Sequence, residues 1–180
     1  MINRELYMEQ ITPFIDKPFV KVITGIRRCG KSVVLRLIRE ELLRRGVSED
    51  YIIYMNFESF EWIDMKEAKA LYAHIREATK APGKYYILLD EIQEVTDWEK
   101  AVNAFLVDLD VDIYVTGSNS RLLSSEFSTY LAGRYVAFHI MTLSFREYLL
   151  FHDLPLTISV SDRKTEFLKY LRMGGFPAIH

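Results

Sequence analysis

The stretch Gly25-Ile26-Arg27-Arg28-Cys29-Gly30-Lys31-Ser32 follows directly on the apolar run "FVKVIT" (19–24) and leads into "SVVLRLIRE" (32–40). Its spacing is G-x-x-x-x-G-K-S. A triphosphate carries several negative charges and many acceptor oxygens. Backbone N–H groups of a loop without large side chains can surround it, and the positive end of the following helix faces it. Lys31 places a point charge on the β- and γ-phosphates, and Ser32 offers a hydroxyl to Mg²⁺. The pattern has meaning only with a strand before it and a helix after it, and the flanking runs supply both. The candidate nucleotide-binding residues are Gly25, Arg28, Cys29, Gly30, Lys31, Ser32 and Val33.

Two rival readings of this loop fail. A dinucleotide-binding turn needs G-x-G-x-x-G, and position 27 is arginine. A cysteine-nucleophile phosphatase needs an arginine six positions after Cys29, and that position is Leu35. Cys29 is therefore read as a small loop residue whose backbone matters more than its sulfur. Arg27 and Arg28 have two readings: contacts to phosphate or to a neighbouring subunit, and solvated loop charges.

Beyond the loop, continuous apolar runs predict buried strands at 51–58 ("YIIYMNFE"), 85–92 ("YYILLDEI"), 112–118 ("DIYVTGS") and 134–141 ("RYVAFHIM"). Helix-spaced apolar residues predict helices over 2–15, 31–45, 65–79 and from Asp97 to about residue 109. Two more follow, capped by Ser144 and by Asp162. Strands alternating with helices imply an α/β chain with a mostly parallel sheet covered on both faces.

Composition narrows the class. The 180 residues are 49% hydrophobic and 27% charged, with a net charge of -2, which fits a globular domain and argues against a broad nucleic-acid surface. One cysteine excludes an internal disulfide and points to a reducing compartment. Apolar runs fall short of a membrane span, and "MINRELYMEQ" carries charges where a signal peptide has an apolar core, so the expected location is the cytoplasm. The ending "MGGFPAIH" reads as the interior of a longer protein. The expected division is a core over 1–152 and a helical segment over 153–180 leading toward a further domain. The histidines are scattered without ligand spacing, and the arginines of the first long helix alternate with glutamates as a solvated face.

The third strand ends in Asp90-Glu91. In an open parallel sheet, ligands gather at the carboxyl ends of strands, so both acids arrive beside the loop. Asp90 is the expected orienter of the Mg²⁺ shell, and Glu91 the expected base or aligner of an attacking water. The fourth strand ends "VTGSNS", where Ser118 or Asn119, with Asn119 preferred, would sense the γ-phosphate or hold the water. A plain turn explains the same residues. Arg4 and Tyr7 have two readings as well, contact with an adenine ring and a helix packed on the sheet edge.

In order, "ITGIRRCGKS", "LLDEIQ", "VTGSNSRLL", "LAGRY", "LSFREYL" and "GGFP" strongly resemble prokaryotic AAA-type ATPase domains that precede a conserved uncharacterised C-terminal domain. The resemblance covers nearly the whole chain. It implies an AAA+-like P-loop NTPase three-layer sandwich with five strands in the order 5-1-4-3-2, and ATP and Mg²⁺ as cofactors. It assigns Lys31 and Ser32 to the phosphate loop, Asp90 and Glu91 to the Walker B acids and Ser118 or Asn119 to the first sensor. Arg134 matches the family's Gly-Arg, with a role either as an arginine finger acting in trans within a homo-oligomer or as a structural ion-pair residue. The implied activity is ATP hydrolysis that drives or gates a change in an attached domain or in a protein or nucleic-acid partner. Two alternatives stand beside it: a nucleotide-gated interaction module with little hydrolysis, and a small-molecule kinase.

Overall fold

The computed structural model describes residues 4–118, 122, 130–157 and 159–179. Five strands form one sheet: β1 (Val20–Gly25), β2 (Ile52–Asn56), β3 (Tyr85–Asp90), β4 (Val111–Gly117) and β5 (Tyr135–Ile140). Their order is β2-β3-β4-β1-β5, and every pairing is parallel. This is the expected order read from the other edge. The described helices are α1 (Glu5–Ile11), α2 (Lys31–Arg44), α3 (Ala68–Ala78), α4 (Trp98–Asp108), α5 (Phe145–Phe151) and α6 (Val160–Met173).

Successive strand residues point to opposite faces and both faces are covered, so the buried runs are continuous rather than alternating. Val22, Ile87, Leu89, Ile113 and Val115 pack with Leu71 and Ile75 of α3 and with Val102 and Phe105 of α4. Ile23, Leu88, Tyr114 and Phe138 pack on the other side with Ile11 of α1 and with Leu35, Ile38 and Leu42 of α2. The result is three layers with β1 and β4 at the centre.

Element ends depart from the expectations for local reasons. The first helix stops at Ile11 and tightens into a 3₁₀ turn at Thr12–Phe14, because Pro13 cannot donate in a continuing helix. The helix expected over 65–79 is shorter: α3 begins only at Ala68, and Met65 closes a separate 3₁₀ segment, Phe60–Met65. Ser144 does cap α5, with a complete capping box to Glu147. Ser159, not Asp162, caps α6 and accepts from the Asp162 N–H. Asp97 precedes α4 but takes a left-handed conformation, and its carboxylate pairs with Lys100 instead of capping.

One buried network lies at the end of the sheet away from the glycine loop. Lys21 of β1 is fully buried, ion-pairs with Asp112 and donates to the Lys17 carbonyl at 2.8 Å. Asp112 also accepts from Tyr114 Oη at 2.8 Å and from the Asp16 N–H at 2.9 Å. Burial, and then the Asp112 charge, pushes the Tyr114 phenol above its ordinary value of 10.0. Tyr86 and Tyr54 are raised by burial first, with Asp16 and Asp90 as their acceptors. A phenol raised in the folded state keeps its full stability below the unfolded value and loses it as pH climbs past it. Lys21 is lowered from 10.5, chiefly by burial, so its own contribution rises with pH only up to that value. Above pH 10.5 the tyrosines act alone. Stability to denaturant is therefore expected to fall steeply above that pH, and Tyr114→Phe is expected to flatten the fall by roughly one proton. Urea midpoints across the alkaline range measure this, and a midpoint that does not move refutes it.

Candidate functional site

At the carboxyl edge of the sheet β1 turns into the loop and α2. Gly25 must be small, because a Cβ there would sit 2.4 Å from the Ile140 carbonyl and 2.7 Å from Cys29 Sγ. Gly30 closes the loop with φ 103°, a conformation that side-chain-bearing residues rarely adopt. The first amides of α2 are therefore presented without a side-chain cap: the Gly30 position offers none.

Lys31 is 4% exposed. Its Nζ lies 3.3 Å from Glu91 Oε1 and 3.5 Å from the Ile26 carbonyl, so its charge points back across the loop. Glu91 stands immediately after β3 with φ 54°, a strained value for a residue with a side chain. Its N–H donates to Thr116 Oγ1 at 2.9 Å, and Thr116 Oγ1 donates to Asp90 Oδ1 at 2.5 Å. Tyr54 Oη donates to the other Asp90 oxygen at 3.0 Å. Asp90 is fully buried between β2 and β4, while the Glu91 side chain keeps 15% exposure at the cleft.

A cleft of about 550 Å³ is lined by Arg27, Arg28, Gly30, Lys31, Ser32, Val33, Glu58, Glu91, Pro177 and Ala178. It thus gathers six of the expected residues: Arg28, Gly30, Lys31, Ser32, Val33 and Glu91. Gly25, Cys29 and Asp90 stand behind it. Cys29 is buried, and that burial pushes its thiol up. Ser118 follows β4 and is half-buried; its carbonyl accepts from the Leu122 N–H. Asn119 lies outside the described residues. Arg134 does not join the cleft. Its carbonyl accepts from the Val20 N–H at the start of β1, and β5 reaches the loop only at Ile140, about 20 Å further along the strand. Its guanidinium is exposed and donates to Asn103 Oδ1 at 3.1 Å.

Local patterning missed the roof of the cleft and left the role of Arg4 and Tyr7 open. Pro177 and Ala178, in the 3₁₀ turn that follows α6, roof the cleft. They are held there by the Leu143 N–H donating to the Gly175 carbonyl at 2.6 Å and by Tyr170 Oη donating to the Leu143 carbonyl at 2.7 Å. Arg4 and Tyr7 brace the back of the loop. Arg4 is 2% exposed, donates to the carbonyls of Cys29 (3.0 Å) and Met141 (2.8 Å), and approaches Glu147 to 2.5 Å. Tyr7 Oη accepts from the Met141 N–H at 3.0 Å. Of the two readings for this pair, the packed helix is the one the geometry supports.

A larger cleft of about 850 Å³ runs between α1 and α2. Glu5, Glu9, Glu40 and Glu41 rim it, and Arg44 and Arg45 hold the Glu41 carboxyl down to about 2. Such a rim repels phosphate, which leaves the smaller cleft as the candidate site.

The AAA domain family model matches residues 17–149. The chain belongs to that family. An uncharacterized protein of Haemophilus influenzae is 43% identical over 99% of the chain, and one of Methanocaldococcus jannaschii is 35% identical over 99%. The chain spans only 44% and 39% of the lengths of those relatives. Among solved structures, a Thermotoga maritima RuvB variant superposes with a TM-score of 0.61 at 13% identity, covering 99% of this chain and 59% of that one. AMPPCP-bound DnaA from Aquifex aeolicus gives 0.55 at 17% identity, covering 98% and 63%. At such identities the likeness is one of fold, and the fold is that of an AAA+ P-loop NTPase. Among the described residues, no helix is long and apolar enough to cross a membrane.

Proposed function

We propose that this AAA domain binds ATP with Mg²⁺ and hydrolyses it. The observation that carries the reading is the Lys31–Glu91 pair at 3.3 Å in the 550 Å³ cleft, beside the uncapped start of α2. A phosphate-directed cation and a water-directed carboxylate within contact of each other are what hydrolysis needs. In this reading Gly25, Arg28, Cys29, Gly30, Lys31, Ser32 and Val33 form the nucleotide loop. Glu91 takes a proton from water as that water's oxygen bonds the γ-phosphorus. The bond to the bridging oxygen breaks, and ADP leaves with its electron pair. Ser118 or Asn119 aligns the water.

Ser32 and Asp90 fit a Mg²⁺ carried in with the nucleotide, since both are hard oxygen donors. Each Asp90 oxygen already accepts one hydroxyl and keeps lone pairs for the ion's hydration shell. When bound, Mg²⁺ neutralises phosphate charge.

The placement of Arg134 supports a homo-oligomer in which one copy's arginine meets a neighbour's cleft. Residues 1–152 form the ATPase core in this reading. Residues 153–180 lead toward a further domain, through which turnover drives or gates a change in that domain, a protein or a nucleic acid. The lone buried Cys29 suits a cytoplasmic protein.

A second reading rests on the same distance. A lone copy does not bring Arg134, which precedes β5, to its own cleft, and so suits a nucleotide-gated interaction module with little hydrolysis. Single-turnover phosphate release across protein concentration separates the two. We expect the rate constant to climb with concentration and Arg134→Ala to abolish the climb. Mg²⁺-ATP binding with no phosphate release at any concentration establishes the module instead. Phosphate released without an added acceptor excludes a kinase.

A further inference from the structure

Gln93 belongs to the short 3₁₀ turn Ile92–Glu94, two residues beyond Glu91. Its Nε2 lies 2.5 Å from Glu91 Oε2. Two oxygens at that separation would repel, so the amide nitrogen is the atom that faces the carboxylate. The Glu91 carboxylate is thereby divided. Lys31 takes Oε1 at 3.3 Å, and Gln93 takes Oε2.

The other end of the same amide is also constrained. Gln93 Oε1 is buried and has no hydrogen-bond partner among the described residues. A buried acceptor left unpaired is costly, so ordinary packing does not favour this rotamer. It is accommodated by the end of β4: a Cβ on residue 117 would lie 2.1 Å from Gln93 Oε1, and Gly117 has none. The amide thus lies against bare backbone where β4 delivers Ser118, with its donor end fixed on Glu91.

We infer that Gln93 is a positioning residue for Glu91. It pins one carboxylate oxygen, and the other is left to change partners. Without nucleotide the free oxygen pairs with Lys31. When a γ-phosphate draws Lys31 away, that oxygen faces the cleft as a proton acceptor and the carboxylate does not swing. The inference rests on the hydrolytic role proposed for Glu91, and its test has one readout that does not depend on turnover.

That readout is the side-chain amide resonance of Gln93 in ¹⁵N-labelled, nucleotide-free protein. A donor held on a carboxylate is displaced downfield, and Glu91→Ala is expected to return it to the position of an exposed glutamine. A Gln93 amide signal indifferent to Glu91→Ala overturns the inference, whatever the ATPase result. The second readout is kinetic. Gln93→Met keeps side-chain length and removes the donor. It is expected to lower kcat roughly 10- to 100-fold while KM for ATP stays within about twofold, because only alignment is lost. Gln93→Glu, which sets a like charge on Glu91, is expected to lower kcat further and also serves should the methionine variant fail to fold. If kcat is unchanged in a folded variant, or kcat and KM change together with the melting temperature, the positioning role is overturned. If the amide behaves as expected but Glu91→Gln turns over at the parent rate, the clasp stands and the hydrolytic reading of Glu91 falls.

Discussion

Lys31→Ala is expected to weaken Mg²⁺-ATP binding by about ten- to a hundredfold. The estimate follows from what the side chain would contribute. A charge-assisted contact to phosphate is worth roughly 1.5–3 kcal/mol, and each 1.4 kcal/mol is a factor of ten in affinity. Lys31 is the one cation among the cleft residues that is buried, whereas the side chain of Arg27 is 79% exposed and occupied with Glu58. The cost to the fold is expected to be small. Alanine is a good first-turn helix residue, and Glu91 keeps Gln93 as a partner. Lys31→Arg is not expected to restore affinity, because a guanidinium is larger and planar where the buried Lys31 presents a compact point charge. Calorimetric titration of the three proteins with Mg²⁺-ATP decides the point. Binding in the alanine variant within about threefold of the parent removes Lys31 from the nucleotide site and the reading of the loop with it.

The part of the molecule that could be read from sequence is the part governed by neighbours a few residues apart. The β1–loop–α2 unit announces itself because an apolar run, a glycine spacing and an amphipathic helix are all local patterns. Asp90 and Glu91 were legible because a buried strand that ends in two acids places them at a ligand-binding edge. What escaped was set by distant contacts. Arg4 is 25 residues from Cys29 and 137 from Met141, and no window of sequence joins them. One signal was available: Arg4, Tyr7 and Ile11 share a helical stripe, which puts the arginine on the face that turns inward. The "GGFP" turn was visible as an apolar ending and as one of the motifs of the resemblance, but not as a part of the cleft. Its return to the cleft depends on the contacts of Leu143 with Gly175 and Tyr170. Asp97 and Asp162 show a smaller failure. Each is a good capping residue beside a helix, but pairing with Lys100 in one case and the better-placed Ser159 in the other decided the outcome.

Glu91→Gln separates binding from chemistry, and its expected effect is the larger on turnover. Glutamine has the size of glutamate but cannot take a proton from water. General-base catalysis typically contributes 10²–10⁴ in rate, so kcat should fall by about that range. Affinity should not fall with it. In the parent, a phosphate must compete with the Glu91 carboxylate for Lys31, since the two already stand 3.3 Å apart. Neutralising Glu91 weakens that competitor, so Mg²⁺-ATP is expected to bind as well as before or severalfold tighter. Opposite movements in affinity and turnover cannot come from a damaged fold, which would weaken both. Equilibrium binding and single-turnover phosphate release on the same preparation provide the two numbers. Turnover at the parent rate shows that another group accepts the proton. A matching loss of affinity shows that Glu91 holds the loop instead of the water, and the Lys31–Glu91 pair then belongs to the architecture of the turn and not to its chemistry.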